Sequence, residues 1–303
     1  MDAEYFRPGF ASVHVIQRDG RAAIVDTGAN SSVPLVLRAL TELGIDPATV
    51  DWLILTHVHL DHAGGAGSLL QHLPAARVIV HPRGAPHLID PQRLQAASIA
   101  VYGAELFAQL YGDLLPIPAA RVQSTVDGET LRLGSSELTL LHTPGHAMHH
   151  QVLFDRSASA VFTGDTFGLS YRELDTEQGA FILPTTTPTQ FDPEQLLASV
   201  RRVAELKPES VYLTHFGRVT GVDRLAAHLR VQIQRIVELA RSHASAEDRH
   251  ARIRAALRQE LVTRAQAHGI SNAAVTVDTV LGPDLELNTQ GLIAWLERTA
   301  KRA

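Results

Sequence analysis

Within six residues the chain sets three imidazoles and a carboxylate: His57-Val58-His59-Leu60-Asp61-His62. An apolar run of strand length, Asp51-Trp52-Leu53-Ile54-Leu55, precedes them, and Gly64-Gly65 and a short helical pattern follow. That order places the polar side chains on the loop that leaves a buried strand. Neutral imidazole and carboxylate are the N and O donors that a divalent transition metal prefers. The bland alternative is a solvated polar loop with a few satisfied histidines. Partner donors elsewhere in the chain decide between the two.

Three later runs supply such partners. The run Leu138–Leu141 leads to Thr143-Pro144-Gly145-His146, Ala158–Phe162 to Thr163-Gly164-Asp165, and Val211–Leu213 to Thr214-His215. In open α/β sheets ligands collect beyond the carboxyl ends of strands, where the loops converge over one edge. Four strands thus bring His57, His59, Asp61, His62, His146, Asp165 and His215 within reach of one pocket. Seven N/O donors exceed what one tetrahedral ion takes. They suit two ions that share a bridging carboxylate and a bridging hydroxide.

The composition narrows the chemistry further. The chain has no cysteine, which excludes disulfides, iron–sulfur clusters and thiolate zinc sites. Any metal is held by His and carboxylates alone. A net charge of −5 argues against a nucleic-acid partner. The 45% hydrophobic and 19% charged residues fit a soluble globular chain with a full core. Met1-Asp2-Ala3-Glu4-Tyr5 has no signal-peptide character, and no apolar run reaches the ~18 residues of a membrane span. The expected location is the cytoplasm, with no membrane partner.

Along the chain, Arg18-Asp19-Gly20-Arg21 between two β-rich runs predicts a hairpin. Asn30 or Ser31 is placed to cap a helix that runs through Leu43 and stops at Gly44. Arg77–Val80 reads as a buried strand and residues 88–115 as broken helix. Leu131–Leu133 and Glu137–Leu141 read as strands around Gly134, and Gln151–Phe154 as another. Residues 168–190 form a long irregular stretch with a Thr/Pro tract from Pro184 to Thr189; loops this long are functional or mobile. Asp192-Pro193 starts a helix well, with Asp at the N-cap and Pro at the first helical position. Past Gly221, Val222, Leu225, Leu229, Ile233, Ile236 and Ala240 recur at spacings of three and four. Ser245-Ala246-Glu247-Asp248 has the form of a capping box. The expected domains are 1–220, holding the donors, and a mostly helical extension, 221–303. That extension packs against the main domain, covers the substrate or makes a homodimer contact.

The motif His57-x-His59-x-Asp61-His62, with Thr143-Pro144-Gly145-His146, Gly164-Asp165 and the late His215, resembles the metallo-β-lactamase superfamily, and glyoxalase II among its hydrolases. The resemblance covers roughly residues 10–220. It implies an α/β fold, an αββα metallo-β-lactamase-type sandwich, here with a helical C-terminal extension. It implies that His57, His59 and His146 hold a first metal, that Asp61, His62 and His215 hold a second, and that Asp165 bridges them. Asp26 matches a strand-end aspartate that orients a ligand rather than binding metal. Two departures stand out. The β-lactamases of the family often place a cysteine on the second metal, which this chain lacks. The basic and aromatic set for glutathione does not align either; Lys207, Arg218 and Arg224 are candidates by position alone.

The implied activity is a dinuclear metal-dependent hydrolase. A metal-bridging hydroxide attacks an ester, thioester or related acyl bond, or a phosphoester, with Asp61 helping to position it. Two divalent ions, two carboxylates and a hydroxide leave the site near +1, which favours a small anionic or acyl substrate. Zinc is the first choice of metal, with iron or manganese as alternatives, because this donor set discriminates weakly among them. A competing class is an iron-dependent redox enzyme of the persulfide dioxygenase or diiron type on the same scaffold. A third is a non-catalytic binding protein. His149 and His150 are read as solvent-facing or as supports for the ligands, His81 and His87 as ordinary polar residues, and Tyr102, Tyr111 and Tyr171 as partial core or pocket wall.

Overall fold

The computed structural model describes residues 1–186 and 190–301. The end of the Thr/Pro tract, 187–189, and the side chain of Tyr102 lie outside the described residues. The chain divides into two compact units. The first comprises residues 1–142, 149–164 and 210–218; the second comprises 143–148, 165–209 and 219–303.

The first unit is built on two sheets. One has the order β1 (His14–Arg18), β2 (Arg21–Val25), β3 (Val50–Ile54), β4 (Arg77–Val80) and β5 (Val122–Ser124). The other runs from β6 (Thr130–Leu133) through β7 (Ser136–His142), β8 (Gln151–Asp155), β9 (Ala160–Gly164) and β10 (Ser210–Leu213) to the edge strand β11 (Gly217–Thr220). The hairpin forms where the sequence places it. Asp19 and Gly20 both take positive φ, 49° and 75°, the geometry whose twist matches the flanking strands. The core lies between the sheets. Ile16, Val25, Ile54 and Ile79 from one meet Leu133, Leu140, Leu153 and Phe162 from the other, all buried. These side chains alternate along β6 and β7, where Leu131, Leu133, Leu138 and Leu140 point inward, the period-2 pattern of a strand with one solvated face.

This topology sets the site edge. β2 and β3 run parallel, with Val25 paired to Ile54, so Asp26 and Thr56 emerge side by side. In the other sheet β9 and β10 run parallel and Leu213 pairs with Gly164, so Thr214 emerges at the matching end. Gly164 has φ 49°, and a Cβ there would lie 2.6 Å from Thr56 Oγ1. Only glycine permits this close approach of strand to loop.

Two predicted helix starts are corrected. Neither Asn30 nor Ser31 caps with its side chain; a 3-10 turn, Asn30–Ser32, leads into the helix Val33–Glu42. Asn30 is taken elsewhere. Its amide donates to the carbonyls of Tyr111 and Asp113 at 2.8 and 2.6 Å. Likewise, Ser245 opens no helix; Arg249–Ala267 starts after Asp248, without a side-chain cap.

The second unit contains the helices Pro193–Glu205, Val222–Ser242, Arg249–Ala267, Ala273–Val280 and Gly282–Ala300. The Asp192 carboxylate caps the first, accepting from the Glu194 and Gln195 amides. Described residues of the irregular stretch are tied down by the late helices. Tyr171 donates to Asp284, the Thr186 amide to Asn288 Oδ1 at 2.7 Å, and Gln232 to the Ile182 carbonyl. Tyr111 and Tyr171 are both buried, so both belong to the core. No helix among the described residues is long and apolar enough to cross a membrane.

One buried group makes the first unit acid-sensitive. The His14 ring sits against Phe162 and Tyr212, with Nε2 at 3.2 Å from the Leu213 carbonyl. Burial pushes its pKa down from 6.5 to about 4. His81, lowered to about 4 chiefly by burial and then by His142 and Arg83, acts in the same direction. The unfolded chain therefore binds more protons than the folded one between those values. Stability is full above pH 6.5 and declines as pH falls toward 4. Urea midpoints should fall across that window, and His14→Gln should flatten the slope. Identical slopes in the two proteins would refute the assignment.

Candidate metal centre

The first unit gathers five of the seven donors. His57 and His59 lie on the loop after β3, Asp61 and His62 in the turn of helix Leu60–Ala63, and His215 just past β10. His57 Nε2 lies 2.8 Å from His59 Nδ1. The Asp61 carboxylate reaches His215 Nε2 at 3.3 Å and His62 Nε2 at 3.6 Å. The ligand atoms of Asp61, His62 and His215 all lie within 4.8 Å of one another. The other two donors belong to the second unit, where His146 Nε2 lies 3.3 Å from Asp165 Oδ2. Ligand atoms at about 2.1 Å from a tetrahedral ion are about 3.4 Å apart. The observed spacings of 2.8 to 3.6 Å bracket that value.

The hydrogen bonds behind the rings decide which nitrogen each can offer. His62 Nδ1 lies 2.8 Å from Asp26 Oδ2 and donates to it. His215 Nδ1 donates to the Phe10 carbonyl at 2.8 Å, and His146 Nδ1 faces the Thr185 carbonyl at 3.3 Å. Thr56 donates its hydroxyl proton to Asp26 and accepts from His57 Nδ1 at 3.2 Å. A ring that donates through Nδ1 keeps a lone pair on Nε2, the arrangement that orients metal-ligating histidines. Four imidazoles are thereby set to offer Nε2. His57, His62, His146 and His215 are all buried, and imidazole and carboxylate donors of this kind could hold metal ions.

Asp26 is the hub of this support. It is buried and at φ 58°, a conformation that Asp tolerates better than most residues. Its two oxygens accept from the Thr56 amide at 2.8 Å, the Thr56 hydroxyl, the Thr214 hydroxyl at 3.0 Å and His62. One carboxylate thus joins β2, the histidine loop and the strand end that carries His215. The family resemblance implies a ligand-orienting aspartate at this position, and the carboxylate accepts a hydrogen bond from His62 Nδ1.

Other supports are less visible in sequence. His149 and His150 are buried, not solvent-facing. The His150 ring stacks on His57 with centroids 4.8 Å apart, and His149 lies 5.5 Å from His59. Phe10, which has no sequence signature, packs edge-on against His215 at 5.2 Å. The one signal that sequence reasoning passed over is the threonine before a histidine, in both Thr56-His57 and Thr214-His215. Both hydroxyls serve Asp26. Of the cations considered for glutathione, Lys207 and Arg218 are exposed, while Arg224 reaches the Ala180 carbonyl at 3.4 Å.

The sequence model of the metallo-β-lactamase superfamily matches residues 6–215. The chain belongs to that superfamily. A metallo-β-lactamase fold-containing protein of Sulfurisphaera tokodaii is 30% identical over 218 residues, covering 70% of this chain and 75% of that protein. A hydroxyacylglutathione hydrolase of Salmonella paratyphi A is 31% identical over 152 residues, 49% of this chain. That match spans 43% of the hydrolase, less than half its length. Among solved structures, an archaeal metallo-β-lactamase superfamily protein from Sulfolobus tokodaii superposes with TM-score 0.64 at 24% identity, over 94% of this chain and 93% of that one. A metallo-β-lactamase family protein from Thermus thermophilus gives 0.62 at 21% identity, over 96% and 89%. These likenesses establish the metallo-β-lactamase fold, an α/β sandwich of two sheets with several helices after residue 220. The superfamily is metal-dependent and its members are mostly hydrolases, which accords with His/Asp groups suited to metal.

Proposed function

We propose that the protein is a dinuclear metal-dependent hydrolase of esters, thioesters or related acyl bonds, with phosphoesters as an extension. The observation that carries this reading is the set of rings whose Nδ1 atoms are engaged behind them, leaving Nε2 as the ligand atom. His57, His59 and His146 would hold one ion, Asp61, His62 and His215 would hold the other, and Asp165 would be shared between them. Zinc is the first candidate, and the residues 1–220 form the catalytic domain with 221–303 as its helical extension. Bound divalent ions act as Lewis acids and lower the pKa of water to about 7, so a nucleophile exists at neutral pH without a Ser or Cys.

The chain's own residues do the rest. Asp61, about one-fifth exposed, faces solvent more than the buried rings of His57, His62, His146 and His215 and would position the attacking water as well as hold an ion. The Asp26 carboxylate stabilises the donating form of His62 and fixes its ring. The buried walls around the donors exclude bulk solvent and strengthen the electrostatics there. Elemental analysis is expected to find about two metal ions per chain. Chelation should abolish turnover of an acyl-substrate panel, and added zinc should restore it. A fully metallated protein that hydrolyses no ester, thioester, lactone or phosphodiester would overturn the reading, and oxygen consumption by an iron form would replace it with redox chemistry.

A further inference from the structure

We propose that an apolar cleft beside the donor loop, within the first unit, receives an uncharged aliphatic acyl chain of the substrate. This rests on the hydrolase reading and names the substrate class for it. The cleft is walled by Leu60, Leu88, Leu94, Leu114 and Leu115, with His87 as its polar side chain. Leu60 stands between the donors His59 and Asp61 in sequence. Among the described residues, no Lys, Arg, Asp or Glu lines the cleft. Its free space, open mouth included, is about 260 Å³.

Two observations tie this cleft to a ligand rather than to ordinary packing. The first is its continuity with the donors: the His87 ring lies 6.4 Å from His149, which lies 5.5 Å from His59. The one polar side chain of the cleft is thus the part of its wall nearest the donor loop that these rings mark. The second is the wall itself. Helix Gln92–Tyr102 supplies Leu94, yet none of its described side chains is buried. Leu94 and Leu114 are half-buried and Leu115 is 36% exposed. An isolated helix of eleven residues is marginal in water and draws its stability from burying an apolar face. An aliphatic chain lying under Leu94, Leu114 and Leu115 supplies the apolar contact that the protein leaves open. A tripeptide thiol with two carboxylates finds no cation here, so the acyl end, not a glutathione moiety, is the part the cleft suits.

The test is a ladder of acyl esters from acetate to decanoate with one leaving group, hydrolysed by the metallated full-length protein. Each buried methylene strengthens binding about fourfold. The expected kcat/KM climbs by up to that factor per carbon until the chain outgrows the cleft. Leu115→Glu and, separately, Leu94→Gln should flatten the ladder, lowering the octanoate-to-acetate ratio of kcat/KM by tenfold or more. A flat ladder in the wild type, or a steep one untouched by both variants, overturns the cleft assignment and leaves the hydrolase reading standing. No turnover of any ester in the panel overturns the cleft assignment, and the hydrolase reading falls only if thioesters, lactones and phosphodiesters also resist the metallated protein.

Discussion

Asp165→Asn is expected to keep the fold and to lose most of the activity, on the order of a thousandfold in kcat/KM. The side chain is buried, with Oδ2 at 3.3 Å from His146 Nε2, and asparagine matches its volume and shape. What changes is charge and ligand character. In the proposed site this carboxylate bridges two ions, and a neutral amide neither bridges them nor offsets their charge. Stabilisation of transition-state charge by metal is worth several kcal/mol, and each 1.36 kcal/mol is a tenfold change in rate. Elemental analysis of the purified variant should find well under two ions per chain, while far-UV circular dichroism matches the wild type. His57→Ala should be as inactive, but it also leaves a void under the stacked ring of His150, so its thermal midpoint should fall as well. Wild-type turnover by Asp165→Asn at full metal content would remove the bridge from the proposal.

How far this site was legible in sequence follows from the range of the interactions that build it. The hairpin at Asp19-Gly20 and the Asp192 cap are settled within four or five residues, and both form as the local chemistry dictates. The donor motif was legible for the same reason, because three imidazoles and a carboxylate fall within six contiguous residues. Failures begin where a side chain has a distant competitor. Asn30 reads as a cap, but two carbonyls some eighty residues away claim its amide. His149 and His150, read as solvent-facing or as supports for the ligands, are buried beside the rings of the donor loop, so the solvent-facing alternative fails. Phe10 contributes through its backbone carbonyl, a group that every residue has and that no pattern can flag. The grouping of 165–209 with the late helices was also hidden. It depends on single hydrogen bonds such as Thr186 to Asn288, which have no periodicity to reveal them.

Asp26 offers the sharpest separation between holding a metal and holding the holder. Asp26→Asn keeps the positive-φ backbone, since Asn is also at ease there, and its carbonyl oxygen can still accept from the Thr56 amide. The second oxygen becomes an NH2. It then faces the Thr214 and Thr56 hydroxyls and His62 Nδ1, where the wild type has an acceptor. To avoid a donor-to-donor clash His62 must move its proton to Nε2, the nitrogen meant for the ion. Losing such a support typically costs 10–100-fold in metal affinity or activity. Because the site is buried, unmatched polar groups add roughly 1–3 kcal/mol of destabilisation each. The expected result is a protein that folds with a lowered thermal midpoint, loads metal more weakly by 10–100-fold, and regains part of its activity at high zinc. Metal titration followed by competition with a chelator separates this from a ligand loss, in which excess metal restores little. Wild-type metal affinity in Asp26→Asn would mean that the imidazole of His62 is oriented by packing alone.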